Sequence, residues 1–144
     1  MEIDRQRANK ALMAKAARGF AEGDLKPLLT ALDEKVEWVS NSPLQFFRFG
    51  GKHAKLAGVT ELQALMAATY LFHRFDPKEI IAEGDTVWGL FDVEATHQPS
   101  GKKVRTDLAI RWVVRNGKVI SHQGFFDTAG MLAQQGQLPP IQKT

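Results

Sequence analysis

Two different spacings of hydrophobic residues divide the chain. In the first part, small and apolar residues recur at every fourth position from Ala8 to Phe20, which predicts a helix over residues 4–22. From about residue 75 onward the spacing changes to a period of two, which is typical of β-strands with one buried face. The chain is therefore predicted to place helices first and most of a sheet afterwards.

Gly23 and Asp24 are predicted to separate this first helix from a short second one. Gly23 suits the left-handed position at which helices commonly end. Asp24 can cap the next helix, and Pro27 fits its first turn. The elements predicted to follow are a strand over 36–40, a loop over 41–57 and a helix over 59–72.

Short runs of turn-forming residues separate the strands of the second half. These runs are Gly84-Asp85, the hairpin turn Pro99–Lys102, and Asn116-Gly117. A last short helix, capped by Asp127, is predicted to extend to Gln135. The predicted strands span 75–83, 86–97, 104–115 and 119–127.

The Asn116-Gly117 turn determines which residues of the last hairpin face the same way. With Gly117 as a bulge, Ile110 pairs with His122; a two-residue turn would instead pair Arg111 with His122. The bulged register is preferred, because it joins two largely apolar rows. The predicted inner face carries Leu108, Ile110, Trp112, Ile120, His122, Gly124 and Phe126. The predicted outer face carries Ala109, Arg111, Val113, Val119, Gln123 and Phe125.

Length and cysteine content limit the possible classes of protein. The 144 residues fit one domain spanning 1–144, with a flexible tail predicted over 136–144. The absence of cysteine excludes disulfides, a thiolate nucleophile and cysteine-bound zinc. It also suits a reducing compartment, so a cytoplasmic location is predicted.

The charge pattern argues against nucleic acid and membranes as partners. The net charge of +3 is spread along the chain, and basic clusters such as Lys102-Lys103 are short and lack interleaved aromatic residues. No apolar run reaches the roughly 18 residues that a membrane span needs. We therefore predict neither a nucleic-acid nor a membrane partner.

Three stretches, taken in order, carry a resemblance to a known family. They are Phe20–Asp24 with residues 29–39 after it, Ala95–Lys102, and the ending from Asn116 to Leu132. In this order and spacing they resemble the SnoaL-like branch of the nuclear transport factor 2-like superfamily. The resemblance implies an α+β fold shaped like a cone, in which N-terminal helices pack on a strongly curved antiparallel sheet. It also implies a small-molecule pocket at the open end of the cone.

The catalytic groups of two well-understood enzymes of this superfamily are missing. Positions that match those of ketosteroid isomerases and limonene-epoxide hydrolases carry apolar or small residues in this chain. Proton abstraction beside a carbonyl, the reaction of the isomerases, needs a base and a site for the enolate charge, and the matching positions supply neither here. The replaced positions are Trp38, Ala16 and Ile110 for the isomerases, and Phe91, Val93 and Gly124 for the hydrolases.

His122 is the remaining candidate for acid–base chemistry. A histidine that titrates near neutrality can act as a general acid or base, and the alternative is a core histidine with satisfied hydrogen bonds. Histidines 53, 73, 97 and 122 lack close ligand spacing, so no metal site is predicted. The residues expected to line the pocket with His122 are Phe20, Trp38, Ser40, Tyr70, Phe91, Val93, Thr106, Leu108, Ile110, Trp112, Gly124 and Phe126.

Two functions follow from these expectations. The first is binding of a small apolar or aromatic molecule, by a cofactor-free isomerase, cyclase or lyase that uses His122 as its acid–base group. The second is a non-catalytic ligand-binding or dimerisation module that lacks the catalytic residues of the family. In either case a homodimer is predicted through the outer sheet face, which contains Arg111, Val113 and Phe125.

Overall fold

The computed structural model describes residues 1–138, which form four helices and six strands. No helix within this range is long and apolar enough to cross a bilayer. Residues 139–144, which make up most of the predicted tail, lie outside the described residues. The helices are α1 (Glu2–Ala21), α2 (Lys26–Ala31), α3 (Leu56–Thr69) and α4 (Thr128–Gln134), and the strands are β1 (Leu32–Ser40), β2 (Gly51–Ala54), β3 (Tyr70–Glu83), β4 (Thr86–His97), β5 (Lys102–Arg115) and β6 (Lys118–Phe126).

All six strands form one curved, unclosed sheet in the order β2-β1-β6-β5-β4-β3. Neighbouring strands are antiparallel except for β1 and β6, which run parallel. The N-terminal helices pack against one face of the sheet, as the predicted cone-shaped α+β fold requires. Pro77 lies in β3, an edge strand, where a residue without an N–H group costs no ladder hydrogen bond on the open side.

Helix α1 buries most of the predicted stripe together with the positions next to it. Met13, Ala16 and Ala17 are buried in the main core, whereas Ala8 is exposed. The small alanines let the helix lie close to the sheet, and Phe20 reaches into the aromatic cluster below it. The four-residue spacing therefore predicted the helix and, from Leu12 onward, the side that packs on the core; Ala8 is the exception.

The boundary between α3 and β3 differs from the prediction. Helix α3 ends at Thr69, and Tyr70 already belongs to the strand, in which it pairs with His97. Tyr70 and Phe72 alternate with the exposed Leu71, so the local pattern has the period of a strand. The predicted loop over 41–57 also contains the short strand β2, which pairs with β1 and extends the sheet.

The register of the β5–β6 hairpin corrects the predicted bulge at Gly117. Asn116 and Gly117 have φ values of 51° and 72°, which is the geometry of a two-residue turn, and Arg115 pairs with Lys118. The bulge occurs later, at Ile120, since Val114 pairs with Val119 and Val113 with Ser121.

This displaced bulge restores the predicted inner face from residue 122 onward. His122 pairs with Trp112, not with Ile110 as predicted, and Ile110 pairs with Gly124. Before the bulge the prediction is inverted, because Val119 is fully buried and Ile120 is only half-buried. The extra residue shifts the alternation by one, which exchanges the faces of the residues that precede it.

Helix α4 closes one end of the sheet, and its predicted cap is confirmed. The Asp127 carboxylate accepts a hydrogen bond from the Gly130 N–H over 2.9 Å. The Gln134 side chain makes two hydrogen bonds to the backbone of Arg105, which ties the helix to β5. These contacts hold Met131 against the inner face of the sheet.

Candidate ligand-binding cavity

A cavity of about 140 Å³ lies between the helices and the inner face of the sheet. Its walls are formed by α1, α2, α3, α4 and the inward rows of strands β1 and β3–β6. Most of the wall is apolar, which is typical of small-molecule sites. The lining residues are Ala17, Phe20, Leu28, Trp38, Val39, Ser40, Phe49, Leu62, Gln63, Met66, Tyr70, Phe72, Phe75, Val93, Ala95, Val104, Thr106, Leu108, Ile110, Trp112, His122, Gly124, Phe126 and Met131.

The structure brings His122 and all but one of the residues expected around it to the wall of this cavity. The exception is Phe91, which is fully buried behind the wall. Its ring packs on Phe75, with 4.9 Å between ring centroids, and meets the edge of Trp112 at 5.9 Å. Gly89 leaves the space that the Phe91 ring occupies, because a Cβ at residue 89 would come within 2.5 Å of it. Phe91 therefore supports the cavity wall from outside.

The imidazole of His122 is held by two tryptophans. The indole Nε1–H of Trp112 donates a hydrogen bond to Nδ1 of His122 over 2.9 Å. Trp38 lies parallel to the other side of the ring, with 3.4 Å between ring centroids and 6° between planes. Both contacts follow from the register, because His122 pairs with Trp112 on one neighbouring strand and with Trp38 on the other.

This arrangement selects the neutral form of His122 and one of its tautomers. Burial lowers the pKa of His122 from 6.5 to about 3, since the charged ring would lose its hydration. An indole N–H can only donate, so Nδ1 must keep its lone pair and the proton resides on Nε2. His122 therefore presents an N–H donor at Nε2.

Gly124 leaves this donor open to the cavity. A Cβ built at residue 124 would lie 3.7 Å from His122 Nε2 and 3.7 Å from Leu108 Cδ1. A larger side chain at this position would therefore project into the space in front of Nε2. Gly124 thus leaves the Nε2 donor of His122 uncovered.

Comparison with known proteins identifies the family. Residues 14–122 match the sequence profile of the SnoaL-like domain, which covers more than half of the chain. The chain belongs to the SnoaL-like family. No curated protein sequence matches this SnoaL-like chain.

Solved structures of similar fold confirm the nuclear transport factor 2-like architecture. A candidate isomerase from Rhodopseudomonas palustris is 18% identical, with a TM-score of 0.77 over 88% of this chain and 94% of the other. A nuclear transport factor 2-like protein of unknown function from Burkholderia pseudomallei is 21% identical, with a TM-score of 0.80 over 88% and 96%. TerC, co-crystallised with polyporic acid, is 25% identical, with a TM-score of 0.80 over 90% and 98%.

The hydroxyl groups that line the cavity of this SnoaL-like protein already have partners. Ser40 shares a hydrogen bond of 2.6 Å with Ser42, and the Thr106 hydroxyl donates to a backbone carbonyl over 3.1 Å. The Tyr70 hydroxyl donates to Gln135, and burial raises its pKa to about 12. These groups are neutral at physiological pH and engaged with the protein.

Gln63 is a cavity residue that the sequence analysis missed. It lies on α3, is 2% exposed, and its side-chain Nε2 has no hydrogen-bond partner among the described residues. The signal was present, because Val59, Leu62, Gln63 and Met66 follow the i, i+3, i+4, i+7 spacing of a buried helix face. A glutamine on such a face indicates a polar group directed into the interior.

Charged groups lie away from the cavity in the part of the chain that the structure describes. Asp92 accepts hydrogen bonds from Arg74 and Arg105 on the outer face, and these contacts lower the pKa of its carboxyl group. Asp107 pairs with Lys78 in the same way. No carboxylate lines the cavity, and no three histidine or acidic side chains of residues 1–138 come together as a metal site.

Proposed function

We propose that this SnoaL-like protein binds a small, flat, largely apolar molecule that carries an oxygen, and that His122 orients it. The observation that carries this proposal is the Nε2–H donor of His122, which opens onto an apolar cavity at Gly124. A carbonyl or hydroxyl oxygen of the ligand would accept this hydrogen bond. The rest of the molecule would contact the aromatic and aliphatic wall.

The volume and composition of the cavity support a ligand of about one ring. An apolar cavity of about 150 Å³ stays dry and takes up benzene, and the volume here is about 140 Å³. Aromatic side chains form much of the wall, and Phe20, Phe72 and Phe75 pack together at one side of it. TerC, a solved structure of similar fold, was co-crystallised with polyporic acid, so a small organic molecule also suits a relative.

The neutral tautomer argues for His122 as a donor more than as a base. A base needs a free lone pair, and here Nδ1 is occupied by the Trp112 N–H while Nε2 carries the proton. A fixed N–H beside a carbonyl can instead stabilise negative charge on the oxygen, as neutral imidazole does in some isomerases. We therefore place ligand binding first, without a cofactor.

A cofactor-free isomerase, cyclase or lyase is the second candidate. It is favoured by the same N–H donor, because polarising a carbonyl activates the carbon next to it. The similarity to a candidate isomerase from Rhodopseudomonas palustris agrees with this class of reaction. Since none of residues 1–138 places a carboxylate at the cavity wall, the substrate or water would have to take up the proton that leaves.

Two molecules of nearly the same shape test the proposed binding. Acetophenone and ethylbenzene differ in a carbonyl oxygen, and each can be titrated by calorimetry into the wild-type protein and into His122→Phe. We expect acetophenone to bind the wild type about tenfold more tightly, which corresponds to one net hydrogen bond. His122→Phe keeps a ring against Trp38, and in it this preference should disappear.

Two results would contradict the proposed binding. Failure of the wild type to bind either compound would show that the cavity is not a binding site for such ligands. A carbonyl preference that persists in His122→Phe would remove His122 as the orienting group.

We also propose a homodimer through the outer sheet face. Trp88 and Phe125 stack there, with 6.3 Å between ring centroids, while remaining 39% and 36% exposed. Arg111 lies on the same face, since it pairs with Trp88 across β4 and β5. Light scattering after size exclusion should give twice the chain mass for the wild type and the chain mass for Phe125→Lys. A monomeric wild type would contradict this assembly.

The proposed location and the partner classes rest on composition. The absence of cysteine suits a reducing compartment, so we propose the cytoplasm. The net charge of +3 is not concentrated in a basic patch with interleaved aromatic residues, and such a patch is typical of nucleic-acid-binding surfaces. We therefore propose a small molecule and a second copy of this chain as the partners.

A further inference from the structure

Gln63 is an unusual residue in the cavity wall. Its side chain is almost completely buried, and its NH₂ group lacks a hydrogen-bond partner among residues 1–138. The neighbouring polar side chains Ser40, Tyr70 and Thr106 all have such partners. An unsatisfied buried amide costs free energy comparable to a lost hydrogen bond. A ligand that supplies the partner would recover this cost on binding.

The position of Gln63 distinguishes it from Asn9, whose side-chain NH₂ is also buried without a partner. Asn9 lies near the start of α1, at an outer groove lined by Arg5, Asp85 and Arg115. The two arginines are already paired with Asp85 there. Gln63 instead lines the same cavity as His122. It is therefore Gln63 that can act together with the His122 donor.

We propose that Gln63 is the second polar contact of the ligand, and that the ligand carries two oxygens on its ring. This inference rests on the proposed function of the cavity. One oxygen accepts from His122 Nε2–H on strand β6. The other accepts from the Gln63 NH₂ group on helix α3, whose nitrogen is shielded in the free protein and reaches the cavity when the unpartnered amide rotates. The two donors come from different elements of the wall, and the proposal assigns each of them its own oxygen on the ring.

The lack of charged groups in the described cavity wall limits the chemical class of the ligand further. Among residues 1–138 no lysine or arginine lines the wall and His122 is neutral, so a carboxylate or phosphate would lose its hydration without a counter-charge. Carbonyl and hydroxyl groups are neutral and satisfy an amide or imidazole N–H directly. The ligand class is therefore a neutral ring with two separate carbonyl or hydroxyl oxygens.

Acetophenone and its three monohydroxy isomers test the role of Gln63. The isomers place the second oxygen at three different positions on one ring, so no orientation has to be assumed. We expect at least one isomer to bind the wild type about tenfold more tightly than acetophenone, the effect of one net hydrogen bond. Gln63→Met, which has similar volume and no amide, should lose this gain, so that it binds the preferred isomer no more tightly than it binds acetophenone.

A measurement on the wild type alone covers the case in which Gln63→Met does not fold. The side-chain NH₂ resonances of Gln63 should shift strongly with the preferred isomer and little with acetophenone. The thermal midpoint of Gln63→Met is expected to equal or exceed that of the wild type, because the variant removes an unsatisfied amide. A clear fall in the midpoint together with a retained gain from the hydroxyl group would indicate a structural role and overturn the inference.

The outcomes separate this inference from the proposed function. If acetophenone binds through His122 but no isomer gains affinity, the assignment of Gln63 is wrong and the cavity remains a ligand site. If no compound binds, both are contradicted. If an isomer binds in a Gln63-dependent manner while His122→Phe leaves its affinity unchanged, the assignment of Gln63 is supported and the role of His122 is contradicted.

Discussion

The imidazole of His122 lies parallel to the indole of Trp38, with 3.4 Å between ring centroids and 6° between ring planes. The two residues pair across β1 and β6, the parallel pair of the sheet, so the backbone register brings the rings together. With the stacked ring on one side and the Trp112 N–H at Nδ1, the imidazole is fixed in orientation and in tautomer. What remains for a ligand is the N–H at Nε2.

Burial of His122 predicts a pH dependence of stability. The pKa of His122 falls from 6.5 to about 3 in the folded protein, so between these values the unfolded chain holds one more proton. The free energy of unfolding should therefore fall with decreasing pH below about 6.5, by at most about 1.4 kcal/mol per pH unit from this group. Urea unfolding of the wild type and of His122→Gln, from about pH 7 to about pH 5, measures the difference.

His122→Gln is the matched variant for this comparison, because its amide oxygen can accept the Trp112 N–H and it does not titrate. Other groups titrate in both proteins, so the difference between the two proteins reports on residue 122. The stability advantage of the wild type should shrink as the pH falls. An advantage that is constant or grows over this range would show that His122 is not held neutral by burial.

Gly124 is predicted to control the free volume in front of Nε2. Gly124→Val would place methyl groups between His122 and Leu108. A Cβ alone would come to 3.7 Å from His122 Nε2 and from Leu108 Cδ1. Acetophenone binding should weaken by at least about tenfold, which corresponds to about 1.4 kcal/mol. Because valine favours strands, the fold should be retained, and calorimetry with a circular dichroism check measures both effects.

Gly124→Ala is the control for this substitution. Its Cβ makes only ordinary contacts at 3.7 Å, so binding should change less than in the valine variant. Removing a glycine from a strand interior should add about 0.5–1 kcal/mol to the free energy of unfolding. Equal loss of binding in both variants would mean that the volume before Nε2 does not hold the ligand.

The cap of α4 is predicted to stabilise the end of the cavity formed by Met131. Asp127→Ala removes the hydrogen bond to the Gly130 N–H, which spans 2.9 Å. The free energy of unfolding should fall by about 1 kcal/mol. Asp127→Asn retains a capping oxygen and should stay close to the wild type in urea unfolding. A similar loss in both variants would point to the charge of Asp127 and not to its capping oxygen.

The inner row of the last hairpin could be predicted from the sequence because its alternation of apolar residues is strong. Leu108, Ile110, Trp112, Gly124 and Phe126 all reach the cavity wall, although the turn was predicted wrongly. The Asn116-Gly117 turn keeps its favoured two-residue geometry, and the bulge at Ile120 lets the apolar rows still face the same way.

The position of that bulge could not be predicted, because it depends on contacts that are distant in sequence. Val119 pairs with Leu32 of the parallel strand β1 and is fully buried. Nothing in the residues around Ile120 indicates that Val119 will be buried through its pairing with β1. Phe91 was misplaced for a similar reason, since its ring occupies the space that Gly89 leaves and packs on Phe75, which is distant in sequence.

The role of His122 was only partly accessible from sequence. Its inward direction follows from strand alternation, but its protonation state depends on Trp112 and Trp38, which lie on two other strands. Pairing across strands fixes which group donates to Nδ1, and that pairing requires the true register. The sequence therefore predicts a histidine in the pocket, and the structure gives its tautomer.

The proposed role of His122 requires a neutral imidazole with its proton on Nε2. Nitrogen-15 NMR of the histidine rings in the wild-type protein tests it most directly. We predict chemical shifts of the Nε2–H tautomer that stay constant from about pH 5 to about pH 8, the range in which ordinary histidines titrate. Loss of this single tautomer in Trp112→Phe would support the role of the indole N–H. A wild-type ring that titrates near pH 6.5, or that carries its proton on Nδ1, would contradict the account.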